Sequence, residues 1–167
     1  MLRFEQGKIH EEYILHLYKL FEDFCRSEPK YSNRKPDFRT NNVYTRITFQ
    51  TRSLPCFNEF HQLYFKDGKK VIPSNIEELL TPVPLAYWAM DDGAKLSSEF
   101  LLCTHSFLLS DVELLTKVLK SKFDLDTSVY TNKKGHSSIY IKTSSMDKFR
   151  ELVSKHFHVS MKYKLEP

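Results

Sequence analysis

The tightest constraint on this chain is that it repeats itself. Ser53, Phe57 and Glu59 return as Ser145, Phe149 and Glu151, each pair 92 positions apart. In both places the signature follows a strand-like run and opens a helix-like one, so the chain reads as two copies of helix, strands, helix. In the first copy apolar residues recur at Tyr13, Leu17, Leu20, Phe21 and Phe24, which predicts a helix near 9–26. In the second they recur at Val112, Leu115, Val118 and Leu119, which predicts one near 110–122. Ser110 followed by Glu113 reads there as a capping box.

Between residues 43 and 52 the pattern switches to strict alternation. Val43, Thr45, Ile47, Phe49 and Thr51 take one side, and Tyr44, Arg46, Thr48, Gln50 and Arg52 the other. That is a half-buried strand with a basic, hydrogen-bonding outer face. A shorter strand is read at 138–142, after the turn signal Asn132-Lys133-Lys134-Gly135. Two halves are expected, residues 1–80 and 81–167. The part of the first half that would match residues 82–93 falls ahead of Met1, so that element is expected once in this chain.

With 41% hydrophobic residues the chain is able to bury a core, and its apolar runs are too short for a membrane span. Residues 1–6 have neither the apolar core of a secretory signal nor the acid-poor character of a transit peptide. Cys25, Cys56 and Cys103 stand alone, without the spacing of a zinc site or disulfide framework, and read as reduced, mostly buried thiols. His156 and His158 are too isolated for a metal site and read as structural. A net charge of +4 permits a polyanionic partner without requiring one.

The segment from Thr81 to Gly93, with Pro82 at a first helical position, small residues at Ala86 and Ala89, and the acidic pair Asp91-Asp92 before Gly93, predicts a close-packed helix at 82–92 ending in carboxylates. The run Leu80-Thr81-Pro82, Leu85-Ala86-Tyr87-Trp88 and Met90-Asp91-Asp92-Gly93 resembles the second motif helix of the LAGLIDADG homing endonucleases of the large-subunit-intron type. The resemblance extends to Phe57-Asn58-Glu59, Lys70-Val71-Ile72-Pro73, Cys103-Thr104-His105-Ser106-Phe107 and Met161-Lys162-Tyr163-Lys164-Leu165, which covers nearly the whole chain. It departs at His105, where relatives commonly have Gln.

The resemblance implies an α+β fold of two pseudo-symmetric halves, each an antiparallel saddle-shaped sheet backed by helices. It also implies site-specific hydrolysis of both DNA strands with a divalent metal, Mg²⁺. Asp92 would be the metal-holding acid, and Lys70 and Lys164 the lysines near the scissile phosphates. A second acid from a partner motif would complete the centre. Arg46, Gln50, Arg52, Lys133, Lys134 and Lys142 are the candidate nucleic-acid contacts, since Arg and Gln can pair with base edges and Lys with phosphate. Each taken singly is also what a solvated sheet face carries. Phe21, Phe24, Phe57, Trp88 and Phe149 are expected in the core.

The resemblance leaves open a duplex-DNA endonuclease, or an RNA-binding relative working as a splicing maturase or as a structural part of a ribonucleoprotein such as an organellar ribosome. A second chain supplying the partner helix is an expected partner of the first, with dimerisation through the 82–93 helix ranked behind both. Membrane association is not expected. The resemblance implies a mitochondrial or other organellar location.

Overall fold

The structure is a computed structural model and describes residues 1–166. Pro167, the last residue of the expected second half, lies outside the described residues. The chain forms two compact units, Met1–Phe60 and His61–Pro167.

In the first unit strand β1 (Arg3–Gly7) leads into helix α1 (Glu11–Phe21), followed by β2 (Lys30–Asn33), β3 (Thr45–Gln50) and the start of α2 (Asn58–Tyr64). The sheet is antiparallel in the order β1-β3-β2. The alternation read at 43–52 holds within the strand, with Ile47, Phe49 and Thr51 buried, whereas Val43, ahead of the strand, is exposed. The strand itself is shorter, and Thr51 continues it only as a bridge to Cys25. Helix α1 buries Tyr13, Ile14 and Leu17. Phe4 stacks on Phe49 at 4.5 Å, and Tyr18 meets Phe49 edge-on at 5.5 Å. The helix expected over 9–26 is thus α-helical only from Glu11 to Phe21, with single 3-10 turns at Lys8–His10 and Glu22–Phe24.

The second unit opens with the end of α2 and a two-residue ribbon, β4 (Phe65–Lys66) and β5 (Lys69–Lys70), then α3 (Ile76–Leu79) and α4 (Pro82–Asp92). Strands β6 (Gly93–Lys95) and β7 (Phe100–Cys103), helix α5 (Leu109–Phe123), strands β8 (Thr127–Thr131) and β9 (Ser137–Ile141), and helix α6 (Met146–Val153) complete it. The sheet order is β6-β7-β9-β8, all antiparallel. Phe100, Leu102, Ile139 and Ile141 are fully buried on its inner side, with Leu119 and Phe149 from the helices. Each such side chain contributes about 1.5–3 kcal/mol. The units divide at Phe60 and His61, not at the 80/81 boundary read from the repeat. Residues before α4 pack into the second unit: Ile76 is buried, and Ser121 and Lys122 of α5 bond the side chain and backbone carbonyl of Glu77.

Several local expectations are corrected. Helix α5 starts at Leu109 with Leu108 as its extended N-cap, so Ser110 already lies inside the first turn and the Ser110–Glu113 capping box does not form. Phe149 is buried, but Trp88, Phe21 and Phe57 are only half-buried and Phe24 is exposed. Phe24 and Phe57 meet edge to face at 5.8 Å near the surface. Cys56 is exposed, and Cys25 and Cys103 are half-buried. A helical or alternating pattern assigns a side, and how deep that side lies depends on what packs over it. His158 is structural as expected, its backbone N–H bonding Met90 Sδ and its ring Ser160 Oγ. Among the described residues no helix is long and apolar enough to cross a membrane.

Candidate nucleic-acid interface and metal-binding acid

In an antiparallel sheet, residues paired across strands share a face. In the first unit Arg3 pairs with Gln50, Glu5 and Lys30 with Thr48, and Gly7 and Ser32 with Arg46. The outer face is therefore a small array of polar residues from all its strands. Glu5, midway along the edge strand β1, binds three of its cations. Its Oε1 accepts from Arg34 Nη2 at 2.6 Å, and its Oε2 lies 3.3 Å from Arg3 Nη2 and 3.4 Å from Arg46 Nη1. Arg46 also donates through Nε to Ser32 Oγ at 3.0 Å. Arg46 and Gln50 thus stand where the alternation placed them.

Arg52 is used differently. Its Nη2 donates to the Asp23 carbonyl at 2.8 Å and its Nε to that of Phe24 at 3.4 Å, while its backbone N–H bonds the same Phe24 carbonyl. The guanidinium closes the 3-10 turn after α1, since carbonyls at a helix end need donors. Sequence reading missed Arg3, Lys30, Arg34 and Glu5. Their strands are short and weakly patterned, and only the pairing register brings them to this face.

The outer face of the second sheet is nearly free of charge. Leu101 pairs with Tyr140, Cys103 with Ser138, Ser128 with Tyr140, and Tyr130 with Ser138. Tyr130 and Tyr140 meet edge-on at 6.4 Å. Cations flank the face. Lys133 and Lys134 sit exposed on the turn between β8 and β9, where Asn132 Oδ1 accepts from the backbone N–H groups of Lys134 and His136. Lys142 follows β9 and donates its backbone N–H to Asp126. His105 bonds Ser138 Oγ at 3.0 Å and stacks on His136 at 5.3 Å.

The acidic helix end is the densest feature. Helix α4 begins at Pro82 after an extended Thr81, whose side chain makes no cap bond. Leu85, Ala86, Ala89 and Met90 are buried along it. It ends in exposed Asp91 and Asp92, and the chain turns directly into β6 at Gly93. Lys164, from the C-terminal 3-10 segment Val159–Lys164, donates to the carbonyls of Met90 at 2.5 Å and Gly93 at 2.8 Å. Burial pushes the Lys164 ammonium pKa down, and the charges of Asp91 and Asp92 oppose that shift. Lys70 and Asp92 line one cavity of about 290 Å³ with Trp88, Tyr64 and His105 among its walls. Asp92 and Lys164 therefore meet at the end of one helix, and Lys70 shares a cavity with Asp92.

The donor set suits a hard cation. Asp92 is an exposed carboxylate at the negative end of a helix dipole. Mg²⁺ is commonly held by one or two carboxylates together with waters and substrate phosphate. Among the described residues no group of three or more His, Cys, Asp or Glu could enclose a metal. Further ligands would come from water, phosphate or a partner acid.

The sequence profile of the LAGLIDADG DNA endonuclease family matches residues 1–149. The chain belongs to this family. It is 33% identical to a cytochrome b mRNA maturase, bI2, of Debaryomyces hansenii over 99% of its own length and 63% of the relative's. It is 31% identical to a probable intron-encoded endonuclease of Wickerhamomyces canadensis, covering 99% of itself and 73% of that protein. The chain thus spans about two thirds of the length of these relatives. The homing endonuclease I-WcaI, solved bound to its DNA recognition sequence, superimposes with a TM-score of 0.90 at 30% identity, over 98% of this chain and 74% of that one. The α+β fold expected from the motif resemblance is borne out by that match.

Proposed function

We propose that this LAGLIDADG protein binds nucleic acid through its sheet faces and contributes one half of a Mg²⁺-dependent centre for site-specific cleavage of duplex DNA. One observation carries the reading: α4 ends in Asp92 with the Lys164 ammonium clamped to the carbonyls of Met90 and Gly93. Asp92 would hold the metal, which when bound neutralises charge on the phosphate and makes a water a stronger nucleophile. Lys164 fixes the backbone that carries Asp92, and Lys70 faces the same cavity with a cation for phosphate. A partner acid, from another segment or a second chain, would complete the centre. Arg46 and Gln50 would read base edges, and Lys133, Lys134 and Lys142 would hold phosphates.

A second reading is an RNA-binding maturase. Its support is the 33% identity to the Debaryomyces hansenii maturase along nearly the whole chain, together with the neutral, tyrosine-bearing face of the second sheet, since exposed aromatics can stack unpaired bases. Work on a cytochrome b message would place the protein in the mitochondrion.

The test is cleavage of a randomised duplex library with Mg²⁺ by the chain and by Asp92→Ala, with duplex-DNA and structured-RNA binding measured on the same samples across salt. Cleavage lost in Asp92→Ala supports the endonuclease reading. Tight RNA binding without cleavage, unchanged by the substitution, supports the maturase reading and overturns the first.

A further inference from the structure

The outer face of the first sheet carries Arg3, Lys30, Arg34 and Arg46, and among the described residues of its strands a single acid, Glu5. On a surface meant only to attract phosphates, a carboxylate set among the cations is a handicap: it repels the partner and neutralises its neighbours. Glu5 is nevertheless in contact with three of those cations. Its partners come from β1, from β3 and from the residue just after β2. Its side chain is only 28% exposed, against 56% for Arg34 and 59% for Arg3. The acid is more shielded from solvent than any of the three guanidinium groups it meets, Arg46 included at 38%.

We propose that Glu5 is the specificity-determining residue of this face, a positioning group that orients Arg46 and Arg34 toward base edges and sets a threshold against binding through phosphates alone. The assignment rests on the nucleic-acid-binding reading above. Arg46 is held at two points of its guanidinium, Nε on Ser32 and Nη1 on Glu5, which restricts the orientation in which it reaches a partner. A guanidinium fixed in this way can match the paired acceptors of a base edge, and a swinging one serves any phosphate equally well. Holding the fork in advance also lowers the ordering cost paid on binding. The carboxylate charge meanwhile acts against every duplex alike, so the net effect is discrimination at the expense of raw affinity.

The experiment uses the whole chain with Glu5→Gln and Glu5→Asp. A preferred duplex is first selected from a randomised library with the wild type. Its affinity and that of a scrambled duplex are then measured by fluorescence anisotropy between low and physiological salt, with far-UV circular dichroism confirming the fold of each variant. Glu5→Gln removes the charge and keeps the shape. It should bind scrambled duplex several-fold more tightly, with a salt slope steeper by about one. The ratio of preferred to scrambled affinity should fall roughly tenfold, the scale of one good bidentate contact. Glu5→Asp keeps the charge and shortens the reach, so its ratio should fall while its salt slope stays at the wild-type value. An unchanged ratio in both variants would overturn the assignment while leaving nucleic-acid binding intact. A wild type that binds no duplex at any salt would overturn the functional reading and this assignment with it.

Discussion

Gly93 joins the motif helix to its sheet, and replacing it with alanine tests whether that junction is as tight as it looks. Its backbone is extended, φ −95° and ψ 151°, a conformation open to any residue. The requirement for glycine is spatial. A methyl at this position would lie 2.3 Å from the Ala89 carbonyl oxygen and 2.5 and 2.7 Å from two ring carbons of Phe100. All three are under the 3.0 Å that real Cβ atoms respect, and the nearest is a backbone atom. Phe100 is fully buried, so its ring has nowhere to retreat. Overpacking of this kind costs about 1–3 kcal/mol, and with a backbone atom among the obstacles the upper end is expected. For a unit of this size that lowers Tm by roughly 10–13 °C. Gly135→Ala is the contrast. There φ is +80° with nothing within 4 Å, so only left-handed strain of about 1 kcal/mol applies. Urea unfolding followed by circular dichroism compares the two. If Gly93→Ala costs no more than Gly135→Ala, the close approach of helix and sheet is not what keeps glycine there.

Other perturbations separate structural cations from binding ones. Arg52→Ala frees the carbonyl of Asp23 and leaves that of Phe24 with the backbone N–H of residue 52 alone, which should cost the first unit about 1 kcal/mol, with no change in the salt slope of nucleic-acid binding; a shallower slope would return Arg52 to the interface. Replacing Lys133 and Lys134 together by alanine should leave Tm within a degree or two and reduce that slope by just under about 2, and an unchanged slope would remove the hairpin tip from the contact surface. Asp124 is held charged by Lys120 first and then Lys148, which lowers its carboxyl from 3.8 to about 2. The unfolded chain therefore takes up this proton first, so the stabilisation is complete above the ordinary carboxylate range and is lost as pH falls toward 2. Asp124→Asn, whose side chain tolerates the left-handed backbone at φ 51°, should flatten the fall of Tm between pH 4 and 2; an identical profile would refute the pairing.

Much of the site is legible in the sequence alone. Proline at the first turn, small buried residues at Ala86 and Ala89, and acids before Gly93 described α4 to within a residue of its ends. The alternation at 43–52 placed Arg46 and Gln50 on the outer face, because the side-chain period of a strand is fixed by its backbone. Position alone misassigned Arg52, which has the parity of the outer face but lies past the last ladder pair, where a helix end offers carbonyls instead. On the second sheet the expected cations Lys133, Lys134 and Lys142 flank the strands, and the outer face itself is nearly free of charge, since Tyr130 and Leu101 reach it only through the register of β7, β8 and β9.

By itself the sequence determined the repeat, the family, the motif helix and the inward and outward sides of β3. These follow from local periodicity and from residue types whose backbone demands are the same wherever they occur. Tertiary structure alone decided which charges meet. Glu5 finds Arg34 and Arg46 across 29 and 41 residues, and Lys164 reaches the end of α4 across 74. Periodicity records which side of an element is buried, but an ion pair or a carbonyl clamp needs two groups within about 3 Å, and only the folded register of strands and helix ends sets that distance.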